Sequence, residues 1–134
     1  MRSVVPIFAL FGLSACATQV GPTIPYRITW QHTVGSGYTR VVLIAPQYRN
    51  DSSIRSLGTE FVALTSGDGF AMINVFDDNQ AADDFPRAMD LQGAEADYYD
   101  KHHVATYTRN TRTGEHELAI TLNGPNGPDD IVKY

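Results

Sequence analysis

The chain has 134 residues and a single cysteine, Cys16, so it holds no disulfide framework and no cysteine pair for a finger-type zinc site. Cations are also scarce. Ten Lys plus Arg stand against fifteen Asp plus Glu, a net charge of −5, and nothing clusters positive charge as phosphate recognition requires. A general nucleic-acid binder is excluded. The length suits one domain, and 43% hydrophobic residues are enough to give it a core. Local catalytic signatures are absent as well: there is no G-x-S-x-G elbow, no G-x-x-x-x-G-K-[ST] phosphate loop and no H-E-x-x-H. No long apolar run is present either. The longest is Val4 to Leu13, interrupted only by Pro6 and Gly12. As a helix it covers about 15 Å at 1.5 Å per residue, half of what a bilayer core of about 30 Å demands.

That short run follows Arg2 and leads into small residues, the layout of a secretory signal that takes no part in the fold. Leu13-Ser14-Ala15-Cys16 then resembles the lipobox of bacterial lipoproteins. The resemblance covers residues 1–16. It implies that residues 1–15 are removed and that Cys16 becomes the acylated first residue, carrying diacylglycerol and a further fatty chain such as palmitate. Two or more chains make membrane attachment stable where one does not. Ala17 in the second mature position resembles the outer-membrane sorting case, facing the periplasm. Residues 16–25, with TQVGPTIP from Thr18 to Pro25, read as a flexible tether.

The domain is expected over residues 26–122, with a turn-rich tail over 123–134. Tyr26, Ile28, Trp30 and Val34 alternate with polar residues and predict a strand with one buried face. Gly35-Ser36-Gly37 supplies a hairpin loop, and Tyr38 to Ala45 predicts a strand whose end, from Val41, is buried on both sides. Asn50 or Asp51 caps a helix carrying Ile54, Leu57, Phe61, Val62 and Leu64, and Phe70 to Phe76 reads as a second buried strand parallel to the one before it. Residues 79–92 form a helix disturbed at Pro86, and Ala94 to Lys101 a further helical turn. A second hairpin runs through Val104 to Arg109 and Glu115 to Leu122, and Ile131 to Tyr134 either frames a sheet edge or hangs free. The sum is an α/β fold, ββαβαββ, a mixed sheet of about five strands with two main helices. Crossovers advancing in one direction would make it two-layer, and a doubled-back strand order would put helices on both faces.

Four groups of residues are candidates for chemistry. Gln47, Arg49, Asp77 and Asp78 follow the two parallel strands, where open sheets bind ligands; helix capping is the competing role. His102 and His103 beside Asp100 are the metal candidates, but adjacent strand residues point to opposite faces, and no metal or other cofactor is assigned. His32 and His116 fall on apolar strand faces and read as core or edge residues. Eight carboxylates against one cation, Arg87, between Asp77 and Asp100 read as a solvated face. Tyr98, Tyr99, Tyr107, Arg109 and Arg112 are the partner-docking candidates, if the strand face bearing Tyr107 and Arg109 points outward. The reading that follows is a lipid-anchored, non-enzymatic binding or assembly component of the bacterial envelope, with an envelope protein as partner. The alternative is a periplasmic small-molecule or metal-binding domain, hydrolytic if it is an enzyme.

Overall fold

The computed structural model describes residues 23–134; the signal, Cys16 and all of the tether before Thr23 lie outside the described residues. The domain is mixed α/β. Six strands lie side by side in sequence order: β1 (Tyr26–Val34), β2 (Gly37–Ile44), β3 (Phe70–Phe76), β4 (His103–Asn110), β5 (Glu115–Ile120) and β6 (Asp130–Lys133). Only β2 and β3 are parallel, and the other neighbours are antiparallel. The sixth strand, which raises the expected five, settles the fate of the tail: Val132 pairs with Leu118 and packs on the main core. Ile24 is buried in the same core, so the folded unit begins two residues before the expected Tyr26.

Helix α1 (Asp51–Leu64) joins the parallel pair. Asn50 caps it by accepting from the Ser53 N–H, satisfying one of the donors a helix start leaves free. Ile54, Leu57 and Phe61 form its buried stripe against Val42, Ile44, Ile73, Val75, Ala105, Tyr107, Leu118 and Ile120. Those strand residues share one sheet face, because the registers pair Val42 with Val75, Ile73 with Tyr107 and Tyr107 with Leu118. Burying each such aliphatic or aromatic side chain contributes roughly 1.5–3 kcal/mol.

The helix expected over 79–92 is broken. Asp78 caps α2 (Asn79–Asp83), which stops after five residues, and Pro86 then opens a 3₁₀ turn over Phe85–Asp90. Proline has no N–H to give to an α-helical ladder, so the pattern of apolar residues cannot hold one helix through it. The short turn expected after Gly93 is a full helix, α3 (Ala94–His102). Ala81, Ala82, Phe85 and Tyr99 from this segment pack with Val41, Leu43 and Phe76. Those residues point away from α1, so the sheet is covered on both faces at the β2–β3 end. The two-layer expectation assumed two crossovers between parallel strands, but β3 and β4 are antiparallel, and a connection of that kind is free to lie on either face.

One strand defeats its own periodicity. Between Ile28 and Trp30 the β1–β2 register slips by one residue at Thr29. A bulge of this kind turns every later side chain to the other face. Tyr26 therefore packs on Phe61 under α1, while Trp30 packs on Phe85 across the sheet. At the far end of β2, Gly37 is obligatory for a different reason: a Cβ there would sit 2.7 Å from the Phe70 carbonyl oxygen.

Candidate functional site

The loops after the two parallel strands meet, as their position in the sheet requires. A hollow of about 430 Å³ lies between them, floored by Leu43, Ile44, Ala45 and Pro46 and rimmed by Arg27, Asp77, Asp78 and Asn79. Pro25 and Tyr26 close its third side, at the start of β1. Arg27 reaches over from β1 to donate to Asn79 Oδ1 at 3.0 Å.

Beside the hollow, Asp77 is the centre of a buried ionic clasp. Its side chain is 6% exposed; one carboxylate oxygen accepts from Arg49 Nη1 at 3.1 Å and the other from His102 Nδ1 at 2.7 Å. Arg49 also bonds backbone, giving Nη1–H to the Lys101 carbonyl at 2.7 Å and Nη2–H to the Leu122 carbonyl at 2.8 Å. A planar guanidinium with several fixed donors suits three acceptors on three separate elements. The clasp thus ties the ends of β3, α3 and β5 to the loop after β2. An imidazole oriented by a carboxylate through Nδ1 is also the geometry of a general base. Among the described residues, however, the bonds of His102 end at Asp77, with Tyr98 tilted against its ring at 4.5 Å, and no hydroxyl or thiol nucleophile bonds its Nε2.

Asp78 also has a local role. Its side chain accepts from the Ala81 N–H to cap α2. Burial works against its charge, but hydrogen bonds from Tyr98 and Ala81 outweigh it and hold the carboxyl below its ordinary pKa. The same contact pushes the Tyr98 hydroxyl up. Gln47 is exposed and lines neither this hollow nor the neighbouring one, of about 470 Å³, bounded by Arg49, Asp97, Lys101 and Leu122. Of the four loop candidates, then, the fold brings Arg49, Asp77 and Asp78 together and leaves Gln47 outside.

The two adjacent histidines diverge. His102 turns to Asp77, whereas His103 opens β4 on the sheet face away from α1, stacked with Tyr99 and packed on Phe76. Asp100 bonds to neither. Thr106 gives its hydroxyl proton to Asn74 Oδ1 at 3.0 Å, so His103 Nε2 must be the donor in the 2.9 Å contact to Thr106. Thr121 closes the ring's other side. Burial pushes His103 down to about 4 and, with the charges of Asp100 and Asp84 adding to it, pushes Tyr99 up to about 12. Sequence reasoning passed over the member of this network that was easiest to see: Asn74 stands alone as an amide in the apolar run FAMINVF, is buried, and its Nδ2 has no partner among the described residues.

The five docking candidates do not form one patch. Tyr107 is fully buried against Phe61, its hydroxyl bonded to Thr65 at 2.7 Å and to His116 at 2.8 Å, so the strand face it shares with Arg109 points inward, not outward. Tyr98 and Tyr99 lie near the Phe76 end of the sheet, whereas Arg109 and Arg112 lie near the Phe70 end, because β4 runs antiparallel to β3. Arg109 is occupied by the Asp68 carbonyl, and Arg112 is exposed in the turn after β4. The acidic stretch is largely structural: Asp77 and Asp78 act as described, Asp83 accepts from Asn79, and Arg87 pairs with Asp84 and Glu95. Asp90 and Asp97 remain exposed without such a role.

Comparison of the chain with protein-family models, with curated proteins and with solved structures finds no match.

Proposed function

We propose that this chain is a lipid-anchored protein of the bacterial envelope, attached through acylated Cys16 and acting as a non-enzymatic binding or assembly component on the periplasmic side of the outer membrane. One observation carries the reading. The only cysteine of the chain stands at the end of Leu13-Ser14-Ala15-Cys16, directly after a short apolar run that begins behind a cation. The absence of enzymatic function in the proposal has separate support. Arg49, Asp77 and His102, the residues best suited to chemistry, bond one another and backbone carbonyls, as a structural clasp does, and no nucleophile among the described residues joins them.

The test is fractionation with lipid labelling in the producing cell. The wild-type chain should sediment with membranes and incorporate labelled palmitate, and Cys16→Ser should lose the label and leave the membrane fraction. Membrane sedimentation of an unlabelled Cys16→Ser chain at the wild-type level contradicts the proposal.

The hollow beside the clasp supports a second reading, a domain that takes a small, largely apolar molecule between the loops after β2 and β3. Hydrogen exchange against a small-molecule library tests it. Saturable protection of the amides of Asp77 to Asn79 is expected on this reading, and unchanged exchange across the library removes it.

A further inference from the structure

The sheet has two edges, and they are built differently. β6 is four residues long, is preceded by Pro128, and carries Lys133 paired to Glu117 and Asp130 paired to Arg55, which are the usual devices that blunt an edge. β1 is nine residues long and has no proline or lysine within it; its protective features, Arg27 and the bulge at Thr29, both lie in its first half and leave Trp30 to Val34 uninterrupted. Its outward backbone groups can be assigned. The two-residue loop Gly35-Ser36 makes Val34 and Gly37 the closing hydrogen-bonded pair, so the alternation of an antiparallel ladder turns the N–H and C=O of Thr33 and Gln31 away from β2. Among the described residues no strand takes these groups, and with Val34 at 60% and Ile28 at 47% exposure on the same strand they form an open template for another strand.

Charge selects the occupant. Residues 23–50, which make up β1, β2 and the loop after them, contain Arg27, Arg40 and Arg49 and no carboxylate, while every Asp and Glu of the chain lies from Asp51 onward. Two copies of so acidic a domain repel through most of their surfaces. Of the two twofold edge pairings, β1 with β1 and β6 with β6, they repel less in the first, which puts the carboxylate-bearing strands β5 and β6 at opposite ends of the joined sheet; pairing of β1 with β6 meets the blunted edge instead. Of the acidic groups near this edge, Asp78 caps α2, Asp83 takes Asn79, whose own carbonyl oxygen takes Arg27, and Asp68 bonds the Tyr38 hydroxyl opposite Thr33.

We infer that the β1 edge is a self-association surface, on which a second copy of this chain adds its own β1 antiparallel to make a continuous twelve-stranded sheet about a twofold axis. A register centred on Gln31 matches outward backbone groups to their counterparts and sets Trp30 of each copy beside His32 of the other. Within one copy those two rings already stack at 6.0 Å on the face away from α1. The surface is independent of Cys16 and does not rest on the reading of its lipidation.

Light scattering of the full-length chain in detergent, with the micelle mass subtracted, together with hydrogen exchange at several protein concentrations, tests the inference. The expected result is a dimer in which the Gln31 and Thr33 amides gain protection as concentration rises. Thr33→Pro removes an outward N–H without touching the pairing to β2, and Thr33→Lys adds an edge charge; each should weaken dimerisation at least tenfold with an unchanged circular dichroism spectrum. Ile131→Lys, on β6, should leave the dimer intact. A monomer at all concentrations, a dimer that survives both Thr33 variants, a dimer lost in Ile131→Lys, or open polymers from β1 meeting β6 would each overturn it.

Discussion

Arg49→Ala is expected to lower unfolding stability by about 2–3 kcal/mol, read as a shift of the urea midpoint with an unchanged slope. Removing one partner of a fully buried ion pair costs about 3–5 kcal/mol, and the lower figure allows for the Arg49 side chain being 23% exposed. The loss is large because one side chain serves three acceptors: the Asp77 carboxylate and the carbonyls of Lys101 and Leu122. Arg49→Lys should recover little of it, since a single ammonium cannot span acceptors that the guanidinium reaches with two nitrogens. His102→Ala should cost less than Arg49→Ala, because Asp77 then keeps its guanidinium. Full stability in Arg49→Lys would show that charge alone matters and that the clasp is not what joins these elements.

The second large effect is a dependence on pH. An exposed histidine protonates near 6.5, whereas burial holds His103 neutral down to about 4. Between those values the unfolded chain binds the proton and the folded one does not, so unfolding is favoured as pH falls. Stability is complete above about 6.5 and declines toward 4. At pH 5 the loss relative to pH 7.5 is about 2 kcal/mol from this residue, because each tenfold difference in proton affinity between the folded and unfolded chain is worth about 1.4 kcal/mol. His116 adds in the same direction, its pKa lowered by burial and by Arg109. The carboxyl groups held low, Asp78 and Asp130, contribute only at more acidic pH, where they begin to protonate. Urea titrations at the two pH values measure the difference, and His103→Gln should remove most of it. A dependence that survives intact in that variant would assign it elsewhere.

Much of the fold was legible because its signals are local. Asn50 as a cap, the stripe Ile54, Leu57 and Phe61, and a run from Phe70 to Phe76 bounded by glycine and aspartate define their elements within a few residues, and the structure keeps the expected bounds of α1 and β3. What could not be read depends on partners distant in sequence. The bulge at Thr29 shows only in the register with β2, so Trp30 and Val34 were assigned to the face of Tyr26 when they lie on the opposite one. Nothing local reveals that the segment from α2 to α3 lies across the sheet from α1, because the antiparallel pairing of β4 with β3 leaves either face open and the packing of Ala81, Ala82, Phe85 and Tyr99 on Val41, Leu43 and Phe76 decides it.

The site divides along the same line. Loops after parallel strands meet wherever those strands are neighbours, so the approach of Asp77 and Asp78 to the loop after Ala45 was open to inference. The partners of Arg49 were not, since Lys101 and Leu122 lie 52 and 73 residues away and offer carbonyls, which carry no sequence signature. Tyr107 misled for a related reason. Tyrosine and arginine two apart share a strand face, but whether that face is covered depends on α1, which precedes them by about forty residues and lies over it.

The proposed placement of the domain at a membrane depends on the sulfur of Cys16. Intact-mass and peptide mass spectrometry of the chain extracted from the membranes of its producing cell examines that atom directly. The account predicts a mature chain that begins at Cys16, bearing a thioether-linked diacylglycerol and a fatty acyl group on its α-nitrogen. A chain that retains residues 1–15, or one whose Cys16 thiol is free, would contradict it.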